Sequence, residues 1–257
     1  MKSLTTHPVR NRNNSESNST DHTLLVHFSE LRHRLVKILL SFVVTVIVVY
    51  VSSFWWMTPF ITYITRAHVS LHAFSFTEMI QIYVMIIFFI AFCFISPVMF
   101  YQLWAFIAPG LHNNERQFIY KYSFFSVLLF CAGVAFAFYV GFPIIIQFAL
   151  KLSLTLNISP VIGFKAYLIE LIRWLFTFGL LFQLPILFMG LAKFGLIDTT
   201  SLKHYRKYIY FACFVLASII APPDITLNIL LTLPLILLFE FSMFIVKFTC
   251  RGKPPTH

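Results

Sequence analysis

Ser96-Pro97-Val98-Met99-Phe100-Tyr101-Gln102-Leu103-Trp104-Ala105-Phe106-Ile107-Ala108-Pro109-Gly110-Leu111-His112-Asn113-Asn114-Glu115-Arg116 is the stretch whose reading decides the fold, because a long apolar run gives way there to aromatics, a Pro-Gly turn and charge. Apolar runs lie on both sides, so it reads as a connection between two membrane spans. An unstructured tether gains nothing by carrying Trp104 and Phe106. With one carboxylate beside Pro109-Gly110, the stretch reads as a recognition surface at a membrane face. A second reading stays open, in which the aromatics sit at headgroup level as an interfacial belt.

The whole chain supports the membrane setting. Its 257 residues are 59% hydrophobic and 18% aromatic but only 11% charged, which leaves too little polar surface to cover a soluble globule. Several apolar runs approach the roughly 20 residues needed to cross the hydrocarbon core as helix, and the dyad alternation of a membrane barrel is absent. The expected fold is therefore all-α and polytopic. Cys93, Cys131, Cys213 and Cys250 are scattered without metal or disulfide spacing and read as packing residues. The nine histidines all fall outside the expected spans, which removes bis-histidine haem ligation. With no zinc-protease helix, nucleophile elbow or phosphate-binding glycine loop, neither an enzyme nor a cofactor or metal is expected.

Taken in order, residues 1–21 form a polar tail expected to be disordered, with no apolar signal-peptide core and with Glu16 and Asp21 against an import presequence. Residues 22–248 form the membrane domain, and 249–257 a basic tail. A short helix is expected from Asp21, with Leu24, Leu25, Phe28, Leu31 and Leu35 on one face and Glu30 spaced four from Arg34 on the other. Six spans follow, at about 36–56, 79–100, 120–140, 167–189, 208–221 and 225–246. A loop from Met57 to Thr77 and an irregular connection from Ile144 to Phe164 separate some of them. The fifth span, at about 1.5 Å per residue, covers only roughly two-thirds of a 30 Å core. Pro222-Pro223-Asp224 reads as the tight reversal behind it.

A net charge of +10 is compatible with nucleic-acid binding, but its distribution points to topology instead. Fifteen of the nineteen Lys and Arg lie in the N-terminal tail, the central stretch, the 190–207 loop and the C-terminal tail, against Arg66, Lys151 and Lys165 on the alternate side. The positive-inside rule then puts both termini, Glu30 and Glu115 on the side of synthesis. Within the spans, Glu170 and Arg173 are spaced to pair with each other, whereas Gln183, followed by Pro185, and Glu240 are deeper polar groups that need partners.

The order His27-Phe28-Ser29-Glu30-Leu31-Arg32, then Pro97, Tyr101-Gln102-Leu103-Trp104-Ala105-Phe106, Pro109-Gly110-Leu111 and Glu115-Arg116, resembles the TatC family. TatC is the receptor subunit of the Sec-independent, twin-arginine protein translocase. The likeness continues through Phe178-Gly179, Phe182-Gln183-Leu184-Pro185, Arg206, Pro222-Pro223-Asp224, Pro234 and Leu238-Phe239-Glu240, and spans about His27 to Phe248. It implies six transmembrane helices in a cupped bundle with both termini on the side of synthesis. It also implies a receptor for twin-arginine signal peptides, working with small single-span partner subunits, in lipid and as a homo-oligomer, on folded passengers driven by the proton-motive force. By the same resemblance, Glu30 and Glu115 receive the two arginines, with Arg32, Phe106 and Arg116 beside them, and Gln183 and Glu240 are intramembrane polar or partner contacts. Gln183 stands where the family usually has glutamate, and Ala221 where it usually has threonine. Guanidinium groups suit two carboxylates because they pair through bidentate, charge-assisted hydrogen bonds that lysine cannot copy.

Thirty-two phenylalanines and the missing presequence suggest a gene in a T-rich organelle genome, hence a mitochondrial inner membrane, with a bacterial plasma membrane as the alternative. Other function classes remain in view: a small secondary transporter or channel using Gln183 and Glu240, or a structural subunit of a respiratory complex. A transporter should show repeats or matched broken helices in two halves, and no convincing repeat is present.

Overall fold

In the computed structural model of the chain, residues 13–65, 71–107, 116–193, 205–220 and 225–249 are described, the side chains of 13–28, 107, 116–118, 192–193, 220, 226–227, 230, 245–246 and 248–249 excepted. The described residues are almost wholly helical: α1 (Asn13–Ile64), α2 (Phe76–Ile107), α3 (Arg116–Phe136), α4 (Phe142–Thr155), α5 (Phe164–Leu181), α6 (Leu184–Lys193), α7 (Arg206–Ile220) and α8 (Ile225–Thr249). A π-helical turn, Ala137–Gly141, fuses α3 to α4, and a two-residue break separates α5 from α6. The outcome is six helical rods. Among the described residues, four stretches, Ser29–Ile64, Phe76–Phe106, Ile119–Thr155 and Phe164–Leu191, are long and apolar enough to cross a membrane.

Helices in hydrocarbon run on where sequence rules predict breaks, since a backbone freed from the helix finds no water to bond. Ahead of the apolar stretch that starts at Ser29, where this reason does not apply, the tail expected to be disordered up to residue 21 is also helical from Asn13 and continuous with the first span. That span does not stop at Trp56: α1 passes through Pro59 to Ile64 and takes up the start of the expected loop. The central stretch is likewise no connection up to Ile107, because α2 continues through Pro97. Pro97 has no N–H for the carbonyl of Cys93, and the hydroxyl of Ser96 donates to that oxygen at 2.8 Å. Nor is Ile144 to Phe164 irregular throughout, since α4 starts at Phe142 with Pro143 in its first turn. The π-turn prepares this, with the Phe142 N–H bonded to the Ala137 carbonyl. In the opposite sense, the fourth span divides after Leu181.

The centre of the bundle is α2, α3 and α5, around the fully buried Trp174, Phe178, Phe130, Ile86 and Leu168. α3 and α5 approach closely because Gly133 has no side chain: a Cβ there would stand 2.5 Å from the carbonyl oxygen of Phe178. By contrast, α1 packs chiefly on α2, and only 6% of its most apolar window is buried, against 39% for that of α2. It is a flanking helix facing lipid with Leu39, Leu40, Val44 and Val48.

The far end of α1 also reaches the π-turn and α5. Ser53 still bonds the hydroxyl of Tyr83 on α2. Ten residues on, Tyr63 stacks on Phe138 and bonds the Tyr139 hydroxyl, and Tyr167 of α5 donates to the Ile64 carbonyl at 2.8 Å. Beyond it, Leu71–His72 pairs in parallel with Ile162–Gly163, which ties the segments after α1 and α4 together. At the other side of the molecule, α8 packs on both α6 and α7. The 15 residues of α7 rise only about 22 Å, short of a roughly 30 Å core.

Candidate functional site

Glu30 lies on α1 near the end of the bundle where α2 finishes, and it is already paired. Arg34, one turn on, places Nη2 2.6 Å and Nε 3.1 Å from the same carboxylate oxygen, Oε1. Its remaining nitrogen, Nη1, donates to Oε1 of Gln102 on α2 at 3.1 Å. Helical spacing brings Glu30 and Arg34 together, and the packing of α1 on α2 adds Gln102. Both members of the pair are partly shielded, with side chains 32% and 24% exposed. That makes this contact firmer than an exposed surface ion pair.

Arg34 and Gln102 also border a cavity of about 340 Å³ between α1, α2, α3 and the α5–α6 break. That volume falls in the range of ligand sites, and the lining is mostly apolar with a few converging polar groups. Leu35, Ile38, Met99 and Leu187 supply apolar walls. Gln183, held in the break between α5 and α6, lines it too, donating from Nε2 to the Ser126 carbonyl at 3.0 Å and to the Gly179 carbonyl at 3.5 Å. Pro185 accounts for the break, because it cannot donate to the Leu181 carbonyl. Trp104 contributes from the core: it is 4% exposed, edge-on to Tyr122, and its indole N–H donates to the Ser126 hydroxyl at 2.8 Å.

Several residues singled out in the sequence are therefore distributed differently from expectation. Trp104 is buried rather than displayed on a connection, whereas Phe106 is half-buried and lines the cavity. Arg32 points outward, exposed, on the other side of α1 from the Arg34 contact. Glu115, Pro109, Gly110, Pro222, Pro223 and Asp224 lie outside the described residues, as does the side chain of Arg116, whose backbone opens α3. Glu240 belongs to a separate cluster between α7 and α8, bonded to Arg206 at 2.8 Å and to the Tyr210 hydroxyl. Glu170 pairs with Arg173 at 3.1 Å, and the Trp174 indole donates to the same carboxylate. Arg34 and Ser126 were not expected at the site, and Gln102 was expected only as part of the aromatic stretch. The four-residue spacing signalled Arg34, and nothing in the sequence signalled Ser126.

The family model described as "Sec-independent protein translocase protein (TatC)" matches residues 26–234. The chain belongs to the TatC family. It is 37% identical over 233 residues to the Sec-independent protein translocase protein TatCy of Bacillus subtilis (strain 168), covering 89% of this chain and 90% of that protein. Identity is again 37% over 238 residues with the TatC protein of Halalkalibacterium halodurans, covering 91% and 92%. A crystal structure of the twin-arginine translocase receptor TatC in DDM superposes with a TM-score of 0.73 at 33% identity, covering 86% of this chain and 99% of that one. This member of the TatC family is thus a multi-pass helical membrane protein, and its Glu30, Arg34, Gln102 and the Gln183 cavity lie together where α1 packs on the last turns of α2.

Proposed function

We propose that this chain is the receptor subunit of a Sec-independent translocation system and binds the twin-arginine signal peptides of folded passenger proteins. The observation that carries the reading is the Glu30 carboxylate, held in place at the edge of a mostly apolar cavity. A signal peptide needs both features: an ion-pairing group for arginine and an apolar surface for the segment that follows. Arg32 and Phe106 flank the site on α1 and α2. Glu115, two residues before Gln117 at the start of α3, supplies the second carboxylate, with Arg116 next to it.

Both termini, Glu30 and Glu115 face the side of synthesis, a reading supported by the excess of Lys and Arg there. Gln183 and Glu240 serve as contacts for small single-span partner subunits, the chain works as a homo-oligomer, and the proton-motive force drives transport. The bacterial names of the relatives favour a bacterial plasma membrane over the mitochondrial inner membrane suggested by composition. The role is binding and gating rather than catalysis. The test is site-specific photo-crosslinking of a twin-arginine signal peptide to the protein in native membranes. Adducts at residues 30–38 and 99–106 are expected, and adducts confined to α7 and α8 would overturn the reading.

A further inference from the structure

We infer that Arg34 is a resident competitor for the substrate arginine: it occupies Glu30 in the unliganded receptor and withdraws onto Gln102 when a signal peptide binds. The inference deepens the proposed function and rests on Glu30 being a receptor carboxylate. Its basis is geometric. A guanidinium pairs best with a carboxylate through two parallel N–H···O bonds, one to each oxygen, and Arg34 already presents Nε and Nη2 to Glu30, though both to the same oxygen. Both bonds converge on Oε1, so a second guanidinium can reach only the other oxygen unless Arg34 moves.

The field at the site argues the same way. Glu30 and Arg34 neutralise one another, and Arg32 and Lys37 stand on the same helix, so this stretch of α1 offers an incoming cation no net attraction while Arg34 stays in place. Gln102 provides somewhere for Arg34 to go. Its Oε1 already accepts from Nη1 at 3.1 Å, on the neighbouring helix, and that bond survives when Nε and Nη2 let go. Because Arg34 and Gln102 both line the cavity, the exchange also alters the rim that the apolar part of the peptide must pass. Binding then swaps one charge-assisted pair for another. Only a ligand that matches the fork of Arg34 competes on equal terms.

The experiment measures peptide dissociation constants and their salt dependence in detergent or nanodiscs for wild type, Arg34→Gln, Arg34→Lys, Glu30→Gln and Lys37→Gln. Under the exchange, Arg34→Gln tightens twin-arginine peptide binding about three- to tenfold and steepens its salt dependence, since a new ion pair now forms without one being lost. Arg34→Lys keeps the charge but loses the fork, and it also tightens binding, which separates competition from plain charge removal. Lys37→Gln removes one positive charge without touching Glu30, and its effect stays below about twofold. Weaker or unchanged binding in both Arg34 variants, with melting temperatures near wild type, overturns the exchange: Arg34 then holds Glu30 for the peptide or takes no part. Loss of no affinity in Glu30→Gln is a different result, which removes the receptor reading itself.

Discussion

Trp104 donates its indole N–H to the hydroxyl of Ser126 at 2.8 Å, which joins α2 to α3 at the same residue whose carbonyl accepts from Gln183. A single serine therefore receives two side chains, one at its hydroxyl and one at its backbone. The aromatic that looked like a display group is a strut of the cavity wall.

Removing that strut should be costly. Trp104→Phe keeps most of the ring volume and loses the hydrogen bond, at about 1 kcal/mol, whereas Trp104→Ala also leaves a cavity and should cost about 3 to 5 kcal/mol. Melting in detergent gives the order wild type, Phe, Ala. Equal melting temperatures for wild type and Ala would show that α2 and α3 are held elsewhere.

Gln183 faces two carbonyl oxygens with its amide nitrogen, and this decides how substitutions behave. Gln183→Glu replaces a donor by an ionised acceptor opposite the Ser126 and Gly179 carbonyls and should lower stability at neutral pH by about 1 to 3 kcal/mol. Gln183→Met, similar in length and uncharged, should cost less. A Glu variant that melts with wild type would mean that the side chain turns away into the cavity.

The Ser96 hydroxyl and Pro97 form a coupled pair. Ser96→Ala strips the Cys93 carbonyl of its substitute donor and should cost about 0.6 kcal/mol, the usual scale for a hydrogen bond in a membrane protein. Pro97→Ala restores the main-chain N–H, so Ser96→Ala should cost almost nothing in that background. A double-mutant cycle without coupling would dismiss this account of the unbroken helix.

Selectivity tests the receptor reading. An exposed pair worth 0 to 1 kcal/mol would treat Lys-Lys and Arg-Arg peptides alike, whereas two forked, partly shielded pairs lose about 1.5 to 3 kcal/mol each on conversion to lysine. Wild type should therefore bind the Arg-Arg peptide at least tenfold tighter, and Glu30→Gln with Glu115→Gln should erase the difference. Dissociation constants within about threefold for wild type would move recognition from the carboxylates to the apolar lining of the cavity.

The all-helical membrane class was legible in the sequence because burying backbone in lipid leaves helix as the only long-run solution for such apolar runs, whatever their neighbours. Motif order pointed to the family, and the family model that matches residues 26–234 bears that out. Helix limits were less legible. Pro59, Pro97 and Pro143 signal breaks by the rules of water-soluble chains, but here each is accommodated within or at the start of a helix. The Glu30–Arg34 pair was legible too, since four residues on one helix suffice to make it.

Contacts between helices were not. That Arg34 also reaches Gln102, sixty-eight residues away, and that Ser126 serves both Trp104 and Gln183, depends on how α1, α2, α3 and the α5–α6 break pack. Hydropathy treats every lipid-facing and core-facing apolar residue alike, so it fixes that a helix spans but not which of its faces meets a neighbour. Close approach at Gly133, where any Cβ would meet the Phe178 carbonyl, sets the depth at which α3 and α5 engage and so the level of Gln183 against Ser126. Local spacing determined the charged pair and the spans; only the packing of four helices decided that the pair borders a cavity with an amide in its wall.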